Sequence, residues 1–168
     1  MLQEVQKWID RLDLQPHPEG GFFKETYRSE LELAAEDMGM SASGSRNLCT
    51  GIYYLLSGED FSALHRIQSD EMWHFYAGAA LRVEGIHPDG TRQDWVLHNS
   101  PALGSPQAIV PAGTWFGSRL VEPQGFALVG CTVSPGFDFA DFEMGSRQDL
   151  MAVFPEHRAW IQSLTRAT

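Results

Sequence analysis

The sequence has few cysteines and no long apolar run, and each absence excludes a class of protein. Cys49 and Cys131 are the only cysteines in 168 residues, which is too few for a disulfide framework. We expect both to be small buried residues in a reducing compartment. No apolar stretch approaches the roughly 20 residues that a membrane-spanning helix needs, so we expect no membrane partner.

Basic residues are also scarce. Lys and Arg number 12 against 22 Asp and Glu, which gives a formal net charge of −10. The isoelectric point is about 4.9. Because no cluster of Lys and Arg interrupts this acidic balance, we predict no nucleic-acid partner. The first residues, MLQEVQKWIDRLDL, lack the basic start and apolar run of a signal peptide, so we expect a cytoplasmic protein.

Apolar residues make up 43% of the chain, which is enough for one folded core. They recur at helical spacing near both ends, and we predict flanking helices over about 2–14 and 147–165. Pro16 is expected to end the first helix. Residues 30–46 are polar and are predicted to form a loop with one short helical turn. Residues 1–168 are expected to be a single domain with a barrel core over about 21–142.

The middle of the chain is typical of a mostly β protein. Short segments of β-branched and aromatic residues alternate with Gly and Pro turn signals. About eight such strands favour a small barrel or jelly roll, and the lack of intervening helical patterns disfavours a parallel βαβ fold. An extended segment is also expected over 21–29. The eight predicted strands span 49–56, 61–67, 71–77, 81–87, 93–97, 107–110, 114–120 and 126–133.

The densest polar segment is SALHRIQSDEMWHFYAG, residues 62–78. It places His65, Asp70, Glu71 and His74 within ten positions. Imidazole and carboxyl groups transfer protons and bind metals, so this segment is a candidate site. An alternative is that the charged residues form a solvated turn and that His74 is a hydrogen-bonded strand residue. Both interpretations are open from the local sequence alone.

Strand parity restricts any site built on this segment. On a regular strand Glu71, Trp73 and Phe75 share one face, while His74 and Tyr76 share the other. Glu71 and His74 therefore point to the same side only if a bulge lies between them.

Three other segments carry candidate residues. In IVPAGTWFG, residues 109–117, Trp115 either stacks on a ligand or belongs to the core. In CTVSPGFDFADF, residues 131–142, three phenylalanines are expected to pin a loop over the end of the barrel. In PHPEGGFFKETYRS, residues 16–29, His17 and Glu19 precede two glycines, and hydrogen bonding within a turn is the favoured interpretation.

These segments together resemble the cupin superfamily. His65, Glu71 and Gly78 have the spacing of the first cupin motif, and the turn at 111–113 in VPAGTWFG resembles the second. The HPEGG, DExWH and PAGTWF motifs resemble a small uncharacterised branch, over about residues 8–164. The resemblance implies a double-stranded β-helix, a cupin jelly-roll barrel flanked by an N-terminal and a C-terminal helix. It also implies a homodimer.

Metal-binding cupins usually carry two histidines one residue apart, then Glu, and a final His after the Pro-x-Gly turn. Here Ile67 and Phe116 stand at two of these four positions. The resemblance therefore predicts no resident cofactor. A divalent metal, if one is held, would use His65, Glu71 and His74.

Metal-free relatives of similar shape include epimerases that act on nucleotide-linked keto-sugars. They imply His65 as general base, Glu71 or Asp70 orienting it, and Tyr76 as acid. Those epimerases also need cationic residues that bind the diphosphate. The acidic chain shows no obvious cluster of Lys and Arg for this purpose, which disfavours a nucleotide-linked substrate.

Three functions are compatible with these residues. The first is a metal-independent isomerase or epimerase acting on a carbohydrate-like or carbonyl substrate. The second is a non-catalytic protein that binds a small-molecule ligand, and the third is a metal-dependent, oxygenase-like enzyme. The residues expected to line the pocket are Trp73, His74, Phe75 and Trp115.

Overall fold

The computed structural model describes residues 2–166 of the chain. Three α-helices and thirteen strands occur within that range, together with 3-10 turns at Glu36–Met38, Phe139–Asp141 and Pro155–His157. The helices are α1 (Leu2–Leu12), α2 (Arg147–Val153) and α3 (Arg158–Ser163). The strands are β1 (Gln15–Pro16), β2 (Phe22–Arg28), β3 (Glu32–Ala34), β4 (Ser45–Asn47), β5 (Thr50–Ser57), β6 (Phe61–Arg66), β7 (Asp70–Gly78), β8 (Leu81–Ile86), β9 (Arg92–Leu97), β10 (Gln107–Val110), β11 (Trp115–Leu120), β12 (Phe126–Ser134) and β13 (Glu143–Met144).

Two antiparallel sheets form the framework. The larger has the strand order β1-β2-β5-β12-β7-β10, and the smaller has the order β13-β6-β11-β8-β9. Strands far apart in sequence are neighbours in both sheets, which is typical of a jelly roll. The mostly β jelly roll with flanking helices is thereby confirmed, although the barrel consists of two facing sheets rather than one closed sheet.

The core fills the space between the sheets, and the helices cover part of each outer face. Trp73 and Phe116 are fully buried between the sheets and meet with ring centroids 6.4 Å apart. Val5 on α1 packs with residues of β5 and β12 on the larger sheet. Leu150 and Ile161, on α2 and α3, pack with β6, β8 and β11 on the smaller sheet. Where a helix covers the outer face, the strand beneath it is buried on both sides and is largely apolar.

Three local predictions need correction. The first helix ends at Leu12, before Pro16, because Asp13 adopts a left-handed φ of 51°. The C-terminal helix is divided, since Phe154 leaves the helical region before Pro155, as residues preceding proline commonly do. The loop at 30–46 contains the expected short turn, at Glu36–Met38, but also the β3–β4 hairpin.

Candidate functional site

A cavity of about 260 Å³ lies between the two sheets. Its inner wall carries ionisable side chains, and aromatic and aliphatic side chains surround them. Its opening is formed by β2 and by residues 137–142, which we call the mouth loop. An apolar cavity with a few convergent polar groups is the usual form of a small-molecule site. The ionisable residues on the inner wall are His17, Glu19, His65 and Glu71.

Strand β7 places one predicted set of residues inside the protein. Glu71, Trp73 and Phe75 are buried at alternate positions, which confirms the predicted parity. Glu71 and Trp73 line the cavity. Phe75 lies in the core, with its ring centroid 5.1 Å from that of His98, and is not among the lining residues.

His65, on β6, is held on all sides. Its Nδ1 donates a hydrogen bond to the Ala63 carbonyl oxygen over 2.8 Å. Its Nε2 lies 3.1 Å from Glu19 Oε2. The ring stacks on Phe142 and contacts Phe116, with centroids 5.3 Å and 4.2 Å away. Both ring nitrogens therefore have partners within the protein.

Glu19 reaches His65 because of the two glycines that follow it. Gly20 has a φ of 118°, and a Cβ there would overlap the Phe61 carbonyl oxygen. This close approach allows the Glu19 carbonyl to accept a hydrogen bond from the Ala63 N–H over 2.8 Å. The Ser62 hydroxyl donates to Glu19 Oε1 over 2.9 Å. The side chain of Glu19 is thus fixed against β6.

Burial sets the protonation of the His65–Glu19 pair. Desolvation lowers the pKa of His65 and raises the pKa of Glu19, so each group disfavours its charged form. With Nδ1 of His65 donating to Ala63, its Nε2 is an acceptor when the ring is neutral. A protonated Glu19 would donate to this Nε2, so the neutral form of the pair would share one proton along this contact.

Glu71 is the carboxyl group with the fewest partners on the inner wall. Burial raises its pKa to about 7, while the neighbouring imidazole of His65 opposes that shift. The thiol of Cys131, on β12, is its hydrogen-bond partner. A carboxyl group whose pKa lies near neutrality can both accept and donate a proton under physiological conditions.

The structure places Tyr76 away from the cavity. It lies on the opposite face of β7 from Glu71, packs over Gly130 and Tyr53, and is 47% exposed. The predicted role of Tyr76 as an acid beside His65 is corrected, because parity directs its side chain out of the barrel.

His74 also lies on that outer face. Its Nε2 is 3.0 Å from Thr132 Oγ1, and its Nδ1 is 3.2 Å from the Gln107 amide. The predicted ligand-binding and metal-binding roles of His74 are therefore corrected. Asp70 is exposed and accepts a hydrogen bond from the Ala112 N–H over 2.8 Å, so it fixes a turn rather than orienting His65.

Trp115 belongs to the outer layer of the protein. It packs with Leu150 and Ile161 against the C-terminal helices, and the Arg66 guanidinium lies 4.6 Å from its ring. The next residue, Phe116, points inward instead. The prediction that Trp115 lines the pocket is corrected, and its alternative interpretation as a core residue fits the structure.

The donor groups at the cavity do not fit the usual cupin metal site. Ile67 lines the cavity and Phe116 packs on His65, so hydrocarbon occupies two of the four expected ligand positions. His74 is on the other face of the sheet. Within residues 2–166, no three His, Cys, Asp or Glu side chains are arranged to hold a metal ion.

A buried ion pair anchors the mouth loop. Arg46 donates two hydrogen bonds to Asp141, of 2.7 and 2.8 Å, and both side chains are buried. Arg28, at the opening, is paired with Glu25 by hydrogen bonds of 2.9 and 2.7 Å. The only Arg or Lys side chain lining the cavity among the described residues is thus already paired.

The two facing sheets and the polar wall between them define a jelly-roll protein with an internal cavity. The chain belongs to the cupin superfamily: the family described as "Cupin superfamily (DUF985)" matches residues 6–145. The predicted family is thereby confirmed. Within residues 2–166, no helix has the length and apolar character needed to cross a membrane.

Similar proteins cover nearly the whole chain. The uncharacterized protein YML079W of Saccharomyces cerevisiae is 30% identical over 166 residues, which cover 92% of this chain and 83% of that protein. Protein SO0799 from Shewanella oneidensis is 41% identical, with a TM-score of 0.85 and coverage of 97% and 98% of the two chains. A hypothetical protein from Leishmania major is 34% identical, with a TM-score of 0.86 and coverage of 96% and 98%.

A more distant similarity supports the fold alone. Oxalate decarboxylase from Bacillus subtilis has a TM-score of 0.54 and 15% sequence identity, and the match covers 90% of this chain and 37% of that one.

Sequence reasoning missed the importance of Glu19 and His17. Both were interpreted as residues of a turn, yet both line the cavity. The signal was the adjacent glycine pair, which indicates a close approach of two backbones. That signal does not identify which strand is approached.

Proposed function

We propose that this protein is an enzyme that moves a proton on a small carbonyl-containing or carbohydrate-like molecule bound in the cavity. The reaction class is isomerisation or epimerisation. One observation carries the proposal. Glu71, whose pKa is raised to about 7, lines a largely apolar cavity beside the His65–Glu19 pair and has few partners of its own.

The contacts favour Glu71 rather than His65 as the general base. Both nitrogens of His65 have partners, whereas the carboxyl of Glu71 has only the Cys131 thiol. The carboxylate of Glu71 would remove a proton from the carbon next to the carbonyl, which leaves an enolate and a neutral carboxyl group. If Glu71 returns the proton to the former carbonyl carbon, and the hydroxyl proton of the deprotonated carbon passes to the former carbonyl oxygen, the isomer forms. If the enolate turns over before Glu71 returns the proton, its other face is protonated and the epimer forms.

The His65–Glu19 pair would support this cycle electrostatically. Burial favours the neutral form of Glu71, whereas the nearby imidazole of His65 lowers its pKa and so favours the carboxylate that must act as base. The aromatic rings around His65 exclude water and so strengthen these interactions.

Deuterium incorporation tests the proposal without knowledge of the product. Short aldoses, ketoses and keto-acids are incubated in D₂O with the wild-type protein, and mass spectrometry follows exchange at carbon. The expected result is protein-dependent exchange into at least one compound, which Glu71→Gln abolishes. The control is Glu122→Gln, because Glu122 is exposed and remote from the cavity lining. Absence of exchange across the panel would refute the proposed activity.

A second candidate is a protein that binds the same kind of molecule without turnover. The full engagement of both His65 nitrogens favours it, since only one cavity carboxyl is left to transfer a proton. Ligand-dependent thermal stabilisation in the absence of any deuterium exchange would support this candidate.

The homodimer implied by the family resemblance stays a prediction. Light scattering coupled to size-exclusion chromatography tests it.

A further inference from the structure

The geometry points to His17 as a further catalytic residue, whose Nε2–H donates a hydrogen bond to the carbonyl oxygen of the bound molecule. This inference rests on the proposed function, because it supplies the electrophile that complements Glu71 as base. His17 precedes the glycine pair in sequence, and its ring lines the same cavity as Glu71.

The tautomer of His17 follows from its backbone contact. Its Nδ1 accepts a hydrogen bond from the Glu19 N–H over 3.3 Å, so the Nδ1 lone pair is in use. Glu19 Oε2 is 3.6 Å from the same Nδ1, which is too long for a hydrogen bond. A neutral imidazole with Nδ1 as acceptor carries its proton on Nε2.

The Nε2–H group of His17 is free to meet a ligand. No hydrogen bond joins it to any of residues 2–166, and it is not among the buried side-chain atoms that the protein encloses without a partner. Since the side chain is only 8% exposed and lines the cavity, the open space that Nε2 retains is the cavity itself.

The ring is also held in one orientation. Phe23 packs edge-on at 4.5 Å between centroids, and Tyr54 and Phe142 pack edge-on at 6.3 Å. Burial lowers the pKa of His17, which keeps the ring neutral. A fixed, neutral N–H donor is suited to polarising a carbonyl, because it strengthens its bond as negative charge develops on the oxygen.

Two substitutions separate this role from a structural one. The side-chain nitrogen of His17→Gln can stand near the position of Nε2 and donate to the ligand. The side-chain oxygen of His17→Asn can stand near Nδ1 and accept from Glu19, but its amide nitrogen does not reach the position of Nε2. We expect His17→Asn to lower the rate of deuterium exchange about 10²–10³-fold with little change in KM, and His17→Gln to retain most of the rate.

A measurement on the free protein tests the donor directly. Long-range ¹H–¹⁵N correlation spectra assign the tautomer of each histidine, and we expect His17 to be protonated at Nε2. Protonation at Nδ1 would overturn the inference. It would also be overturned if His17→Asn retained the rate, or if folded Asn and Gln variants lost it equally, because either result leaves only a structural role.

The two failures are distinguishable. If the wild-type protein exchanges no deuterium with any compound, the proposed function fails, while the tautomer measurement still decides whether His17 presents a donor to the cavity. If the wild-type protein is active but the variants behave contrary to expectation, only the role of His17 fails.

Discussion

The Nε2 atom of His65 lies 3.1 Å from Oε2 of Glu19, and both side chains are buried. The two residues come from different segments, one on β6 and one in the turn before β2. Because burial disfavours charge on each partner, we expect the contact to be one hydrogen bond with one proton rather than an ion pair.

Substitution of Glu19 tests that description. Glu19→Gln keeps a donor towards His65 Nε2 and an acceptor for Ser62, so we expect a loss of less than about 1 kcal/mol in the free energy of unfolding. Glu19→Ala leaves both partners unpaired and should cost at least about 2 kcal/mol. Urea unfolding measures both. Equal losses in the two variants would show that the Glu19 carboxylate is charged.

Glu71 makes stability depend on pH in a defined direction. Burial raises its pKa from 4.5 to about 7 on folding, and the nearby Glu19 adds to this shift, while His65 and the Cys131 thiol oppose it. The folded state thus binds this proton more tightly, and the associated stability, present below pH 4.5, is lost as pH rises towards 7. The loss is on the order of 3 kcal/mol.

Glu71→Gln should therefore stabilise the protein above neutral pH, because the amide cannot ionise. We expect a gain of about 3 kcal/mol at pH 8 and a much smaller difference at pH 4. Urea unfolding at the two pH values measures the effect, with Glu122→Gln as control. A gain that is independent of pH would contradict ionisation of Glu71 as the cause.

The anchoring of the mouth loop can be tested with a matched pair of ion pairs. Arg46–Asp141 and Arg66–Glu143 both have contacts of 2.7 Å, but the side chains are 7% and 5% exposed in the first pair and 43% and 54% in the second. Asp141→Asn should cost about 3–5 kcal/mol, since it leaves a buried guanidinium without its charge partner. Glu143→Gln should cost less than about 1 kcal/mol.

Thermal unfolding followed by circular dichroism measures the two variants. Faster proteolysis within the mouth loop is also expected for Asp141→Asn and not for Glu143→Gln. Similar stability losses in both would show that burial of the Arg46–Asp141 pair contributes nothing to loop order.

Substitution of Gly20, which allows Glu19 to reach His65, should destabilise the protein more than substitution of another glycine with positive φ. Gly20→Ala combines a φ of 118° with an overlap on the Phe61 carbonyl, whereas Gly39→Ala has a φ of 74° and no atom within 4 Å of the new Cβ. Gly39→Ala should cost about 1–2 kcal/mol from its left-handed backbone. Gly20→Ala should cost more and should reduce deuterium exchange, and equal stability losses would contradict this account.

Metal removal should leave the protein unchanged. Because Ile67 and Phe116 replace two donors, we expect dialysis against EDTA to alter neither Tm nor the rate of deuterium exchange. Addition of Mn²⁺ or Zn²⁺ should give no saturable rise in Tm. Activity that disappears with EDTA and returns with one metal would overturn the metal-independent assignment.

The sequence predicted the strands well because their signals are local. All eight predicted strands occur within one or two residues of their expected bounds, and the alternation around Trp73 correctly placed Glu71, Trp73 and Phe75 on one face of β7. The same parity also excludes Tyr76 from any site that contains Glu71. The predicted role of Tyr76 came from the resemblance to epimerases and did not take this parity into account.

The remaining site residues depend on contacts that local patterns do not encode. Both faces of β11 are covered, so adjacent aromatic residues give no indication that Phe116 rather than Trp115 points inward. The contact between Glu19 and His65 is set by which strand passes beside the glycine pair, and this is a property of the jelly-roll topology.

The pairing of Arg28 with Glu25 has a consequence for what the cavity admits. The carboxylates of Glu25, Glu32 and Asp138 all act on this guanidinium. A phosphorylated metabolite would have to displace them and would meet further acidic groups inside, and no unpaired Arg or Lys of residues 2–166 lines the cavity to compensate. We therefore expect the entrance to discriminate against phosphate esters and to favour their uncharged counterparts.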